Sequence, residues 1–103
     1  RLIDWDDTGF GWYICDFCTA MFAHLGRDSF DPALGAMVAG YRRHRELPDS
    51  HLDMLPALIM ARALSYVGWA HTRRETAGDM VPLVIAVACE LATELLDSRA
   101  GKE

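Results

Sequence analysis

Apolar positions recur at helical spacing from residue 12 onward, and four amphipathic segments can be read from them. The first covers residues 12–25, with Phe17, Met21 (or Ala20) and Leu25 near one face and Gly26 placed as a C-cap. The second starts at Asp31-Pro32, an N-cap followed by proline at the first helical position. Its stripe is Leu34, Met37, Val38 and Tyr41, spaced i, i+3, i+4, i+7, and it ends in Arg42-Arg43-His44-Arg45 ahead of Leu47-Pro48. The third runs from Asp49 or Ser50 to about Arg74. Leu52, Leu55, Ile59, Tyr66 and Val67 lie on one side of it, and Met54, Leu58, Ala61 and Leu64 on another. A helix apolar on most sides belongs at the centre of a bundle. Pro56 is expected either to kink this helix or to delay its regular start. Asp79 is the expected N-cap of a fourth helix, reaching about Ser98 with the stripe Val84, Val87, Ala88, Leu91 and Leu95. Arg99 to Glu103 should fray.

The first eleven residues break this pattern. Leu2-Ile3 runs into the polar turn Asp4-Trp5-Asp6-Asp7-Thr8-Gly9-Phe10-Gly11, where two glycines follow three carboxylates. Such a sequence predicts a loop with special backbone geometry. Leu2 to Trp5 reads as one short strand with no partner in the chain, and a lone strand is not stable by itself. The expected fold is therefore mainly α: about four helices (12–98) preceded by one strand and its loop (1–11), with a frayed tail.

Composition narrows the class. A length of 103 residues allows one domain, and a 51% hydrophobic content excludes a disordered tail. The formal net charge of -5 argues against nucleic acid as a partner. Cys15, Cys18 and Cys89 are too few, and odd in number, for a secreted disulfide scaffold, and no signal peptide opens the chain. Met54 to Ala70 approaches the length of a membrane span. Pro56 and the central Arg62 make it a core helix instead, so no membrane is expected and a cytoplasmic location is the default. Asparagine and glutamine are absent, and Lys102 is the sole lysine.

Carboxylates at a strand end beside glycines suit a hard cation such as Mg²⁺, which takes oxygen ligands and keeps several waters. A solvated acidic turn accounts for the same residues, since aspartate favours turns anyway. Ile3-Asp4-Trp5, then Gly9 and Gly11, then Asp16-Phe17-Cys18 resembles the second signature of the aminoglycoside phosphotransferase and choline kinase-like family of small-molecule kinases. In that signature an aspartate between apolar residues precedes a Gly-containing turn, and Asp-Leu-Ala follows twelve residues after the first aspartate. Asp4 and Asp16 have that separation.

The resemblance implies that Asp4 binds Mg²⁺ and that Asp16 braces the catalytic loop by hydrogen bonds. It further implies that Gly9 and Gly11 let the turn approach the phosphates of ATP, while Asp6 stands where several members carry glycine and is a candidate second ligand. Phe17-Cys18 replaces the usual Leu-Ala. The helical remainder, including Ala61-Arg62-Ala63-Leu64 and Gly68-Trp69, is similar to the family's C-terminal subdomain. What the resemblance implies is an ATP-dependent phosphotransferase acting on a hydroxyl of a small molecule. The family's His-Gly-Asp…Asn catalytic loop precedes this signature, so the chain is expected to be a C-terminal portion, without a catalytic residue of its own and inactive alone. One alternative is a stand-alone helical module that self-associates through its strand and apolar face. Another is a truncated haloacid dehalogenase-like phosphatase, since Asp4-Trp5-Asp6-Asp7-Thr8 fits an Asp-x-Asp-x-Thr opening. Asp4 would then be the nucleophile and Asp6 the general acid/base, but that fold needs later strands.

Four further features have both bland and functional readings. Cys15-x-x-Cys18 falls inside a helix, which favours packing over zinc or redox chemistry. His24, His44, His51 and His71 lack metal-site spacing. Arg42-Arg43-His44-Arg45 and His71-Thr72-Arg73-Arg74 complement helix C-termini, with phosphate contact as the alternative. Tyr66 and Trp69 are expected in the core rather than in a substrate pocket, and Glu90, Glu94 and Asp97 form either a solvated face or an attractor for a cationic substrate.

Overall fold

A computed structural model of the chain describes residue 9 and residues 11–102. The expected strand at Leu2 to Trp5 and the carboxylates Asp4, Asp6 and Asp7 lie outside the described residues. Within them every regular element is helical: α1 (Ile14–Phe22), α2 (Phe30–Arg42), α3 (Asp49–Leu52), α4 (Leu55–Thr72), α5 (Arg74–Ala77) and α6 (Met80–Ala100).

Helix α1 buries Ile14, Phe17, Cys18 and Met21, spaced i, i+3, i+4, i+7, so one narrow stripe fixes its orientation. It stops at Phe22, earlier than expected. The chain then passes through turns to Gly26, whose φ of 70° is the left-handed conformation that a side chain disfavours. In α2 the expected stripe is the one that packs on the core: Leu34, Met37, Val38 and Tyr41 are all half-buried against it. Its start differs from expectation. Ser29 occupies the N-cap, with Asp31 and Pro32 inside the first turn. Proline costs nothing there, because the first four N–H groups of a helix have no intrahelical acceptor.

The long third helix is divided. A single turn, α3, is followed by Asp53 and Met54, and α4 then begins with Pro56 in its first turn. Pro56 thus delays the regular start and leaves the helix interior unkinked. Helix α4 is central, as expected, packing most extensively on α6 and then on α1. Its first side is buried through Leu55, Ile59, Ala63 and Ala70. The second apolar side is covered only in part: Leu58 packs half-buried against the core, whereas Met54, Ala61 and Leu64 are exposed. Helix α6 begins after Asp79 as predicted and buries Val84 and Ala88, with Val87, Leu91 and Leu95 half-buried. It continues through Arg99 to Ala100, past the residue where fraying was expected.

The main core cluster joins α1, α4 and the loop before α3 through Ile14, Phe17, Cys18, Leu47, Leu55 and Ile59. Leu47 is held there by a bracket. Arg42 donates from Nε (3.1 Å) and Nη2 (2.8 Å) to the Leu47 carbonyl, and Nη2 also reaches Asp49 Oδ1 at 2.7 Å. Arg42→Ala is expected to cost about 1–2 kcal/mol in urea unfolding, because two charge-assisted bonds to a buried segment are lost. Asp49→Ala should cost under about 0.5 kcal/mol, since its carboxylate is highly exposed. Equal losses would show that the ion pair, not the loop bracket, matters. The helices spread rather than close: the radius of gyration is 15.1 Å and the extents are 45 × 43 × 26 Å, against about 13 Å for a compact chain of this size.

Candidate functional site

The loop leading into α1 brings the described part of the candidate site together. Gly9, Gly11, Trp12 and Tyr13 are all exposed. A Cβ at Gly9 or Gly11 would meet nothing within 4 Å among the described residues, so no contact with them demands glycine at either place. Most of the turn where special backbone geometry was expected lies outside the described residues, and among those described Gly26 has a positive φ. If these glycines serve an approach, it is to something outside the described residues.

Asp16 lies in the first turn of α1, where its charge complements the helix N-terminus. Its side chain is exposed and forms no hydrogen bond or ion pair with another described residue. It borders a groove of about 370 Å³ between α1 and α2, walled by Tyr13, Phe17, Met37, Gly40 and Tyr41. A larger groove of about 680 Å³ adjoins it across Tyr13 and Tyr41, bounded by Gly11, Trp12, Glu46 and His51. Arg45 lies 4.9 Å over the Tyr13 ring, and Tyr41 meets Phe17 edge-on with centroids 5.4 Å apart. The aromatic wall shared by the two grooves therefore rests on the core at one end and carries a cation at the other.

Asp4 and Asp6, the expected Mg²⁺ ligands, lie outside the described residues, so the fit of a metal to them rests on their sequence pattern. Among the described residues no three His, Cys, Asp or Glu side chains converge as metal ligands. No helix there is long and apolar enough to cross a membrane.

The remaining motifs resolve into structural roles. Cys15 and Cys18 are both inside α1 and unpaired by disulfide. Cys18 is buried and its Sγ donates to the Ile14 carbonyl at 3.4 Å. Burial, then the neighbouring Cys15, push the Cys18 thiol above its ordinary pKa, which suppresses the reactive thiolate. Alkylation of the native chain by iodoacetamide should therefore reach exposed Cys89 first and Cys18 last, read by peptide mass. Equal rates at the two would contradict the packing of α1. His24 Nδ1 pairs with Ser29 Oγ at 2.8 Å, while His44, His51 and His71 are exposed. Arg74 Nη1 donates to the His71 carbonyl at 3.1 Å at the end of α4, the role expected of the second basic cluster. Glu90, Glu94 and Asp97 are exposed on α6.

Two features were not anticipated from the sequence. One is the Arg42 bracket that turns the 43–48 loop into a wall of the larger groove. The other is the half-exposed state of Trp69, at 40% accessibility, beside Tyr66 in a separate pocket. Neighbouring cationic residues were visible in both places, but only the fold brings them to those partners. No family model, curated protein or solved structure matches the chain.

Proposed function

We propose that the chain is the C-terminal helical part of a small-molecule kinase, similar to the aminoglycoside phosphotransferase and choline kinase-like family. In this reading the complete enzyme transfers the γ-phosphoryl group of ATP to a hydroxyl of a small molecule. The observation that carries it is the twelve-residue spacing from Asp4 through Gly9 and Gly11 to Asp16, followed by an all-helical described remainder. Asp4, with Asp6 as a second candidate, would hold Mg²⁺, and the metal would neutralise charge on the transferred phosphoryl. Asp16 is suited to brace a catalytic loop because its carboxylate has no partner among the described residues and borders an open groove. The groove beside Gly11, Trp12 and His51 adjoins that position and is the place where acceptor contacts are assigned in this reading.

The test is purification of the longer protein that contains this chain and assay of Mg²⁺-dependent ADP release with a panel of hydroxyl acceptors. Acceptor-stimulated turnover is the expected result. The absence of both ATP binding and turnover in that protein would sink the reading. A self-associating helical module is the second reading, favoured by the exposure of Leu64 (57%), Leu83 (62%) and Leu96 (66%). Sedimentation of the 103-residue chain separates the two: a monomer at tens of micromolar removes the module, and a dimer supports it. The dehalogenase-like alternative draws nothing from the fold, because no strand follows Gly11 among the described residues.

A further inference from the structure

The larger groove, beside the loop that enters α1, has two kinds of lining. Trp12 and Tyr13 come from that loop and are 69% and 65% exposed, so much of each ring faces solvent. Tyr41 on α2 and Met54 ahead of α4 continue the apolar lining. Glu46 and His51, from the segment between α2 and α4, supply the polar lining. Both are exposed, and Glu46 has no ion-pair partner among the described residues. The space of about 680 Å³ is several times the roughly 150 Å³ that encloses one benzene ring.

Charge decides which ligand such a lining suits. Among the described residues bordering the groove, Glu46 is the one carboxylate, and no lysine or arginine borders it. An anion would meet repulsion there with no cation to offset it. A cation finds little net field either. Arg42 and Arg45 stand with Glu46 around the adjoining concavity, and Arg45 Cζ lies 4.9 Å over the Tyr13 ring, which thus already carries a cation. An uncharged ligand remains, with an apolar face for the rings and hydroxyls to donate to Glu46 and to exchange hydrogen bonds with His51. A pyranose combines the two. Its C–H groups present partial positive charge to the negative face of an aromatic ring, and its hydroxyls project from the rim. A hydrocarbon ring without hydroxyls would take the Glu46 carboxylate out of water unpaired.

We propose that this groove binds an uncharged saccharide, its ring stacked on Trp12 and Tyr13 and its hydroxyls on Glu46 and His51. The assignment deepens the kinase reading and, for the saccharide's role as phosphoryl acceptor, rests on it. In that role a sugar hydroxyl oxygen bonds to the γ-phosphorus of ATP as the bond from that phosphorus to the bridging oxygen of ADP breaks. The hydroxyl proton passes to the catalytic base of the complete enzyme.

The experiment is a titration of the 103-residue chain with methyl β-glucoside, followed by NMR of the Trp12 indole N–H and the His51 ring. Saturable shifts at both are expected. The anionic methyl β-glucuronide should bind roughly tenfold more weakly, and the cationic methyl β-glucosaminide no more tightly than the glucoside. Trp12→Ala, read at His51, should weaken the glucoside roughly tenfold by removing a stacking face. Glu46→Gln keeps the shape of the side chain and should erase the difference between glucoside and glucuronide. Both positions are exposed, so neither variant disturbs the core. No saturable shift at tens of millimolar glucoside would overturn the proposal, as would unchanged affinity in Trp12→Ala. Tenfold tighter binding of the glucosaminide would overturn the uncharged class. In the longer protein, turnover with an amine acceptor but none with the glucoside would overturn the saccharide assignment and leave the kinase reading standing. Saturable glucoside binding by a longer protein that neither binds nor turns over ATP would uphold the site and sink the kinase reading.

Discussion

Replacing Asp4 with alanine in the parent kinase proposed above is expected to lower its Mg²⁺-dependent turnover on the order of 10²–10³-fold or more, the scale set by removing a group that stabilises transition-state charge. Asp16→Ala should act differently. A residue that works by orienting another group costs roughly 10–100-fold when removed. As a positioning residue, Asp16 should lower kcat with little change in KM for ATP. Both variants should stay folded. Asp16 is exposed, so its loss should change stability by no more than about 1 kcal/mol, the value of a carboxylate in a helix's first turn. Urea unfolding of each variant separates lost chemistry from lost structure. Full activity in Asp4→Ala would end the metal assignment. A kcat unchanged in Asp16→Ala would reduce that residue to a helix-terminal charge.

Phe17→Ala is expected to be the most damaging single change to the fold, at about 3–5 kcal/mol. Phe17 is 3% exposed, joins the main core cluster and stacks edge-on against Tyr41 of α2. Removing it leaves a cavity that Ile14, Cys18 and Leu55 cannot close without moving the helices that carry them. Domains of this size hold only about 5–15 kcal/mol in total, so the variant should melt well below the parent or fail to fold. Leu83→Ala is the control. Leu83 is 62% exposed, and its truncation should fall within about 0.5 kcal/mol. A Phe17→Ala loss below about 1 kcal/mol, measured by urea denaturation, would show that the α1–α2 contact does not carry the core.

Asp16 and Phe17 are neighbours on α1 that both reach the groove between α1 and α2 yet differ in burial. Phe17 points into the core while Asp16, its neighbour in sequence, borders the open groove. A helix turning 100° per residue separates consecutive side chains in this way. Phe17→Ala thus probes the scaffold and also widens the groove that Asp16 borders, whereas Asp16→Ala leaves the core untouched.

Much of the local structure was legible in the residues. The buried stripe of α6, the packing stripe of α2 and the central place of α4 follow from apolar spacing at the helical period. That signal depends only on neighbours along the chain. Asp79 before α6 and the cations at the end of α4 are likewise short-range features. Errors arose where two local preferences compete. Asp31-Pro32 has the character of a cap, yet Ser29 takes that place, because a proline is tolerated throughout the first turn. The break at Asp53 and Met54 was one of two outcomes that Pro56 permits.

The spacing of apolar residues could assign helices and name the faces able to be buried, because both follow from a periodicity within a few turns. It had no means of choosing which apolar face of α4 would be covered, or of seeing that Leu47 would be drawn into the core. Nor could it bring Phe22, Tyr66 and Val84, from three helices, around one pocket with Arg62 and Arg73 on its rings. Those arrangements depend on how helices far apart in sequence cross one another. Crossing is set by side-chain fit over the whole interface, a property that no single stretch of the chain contains.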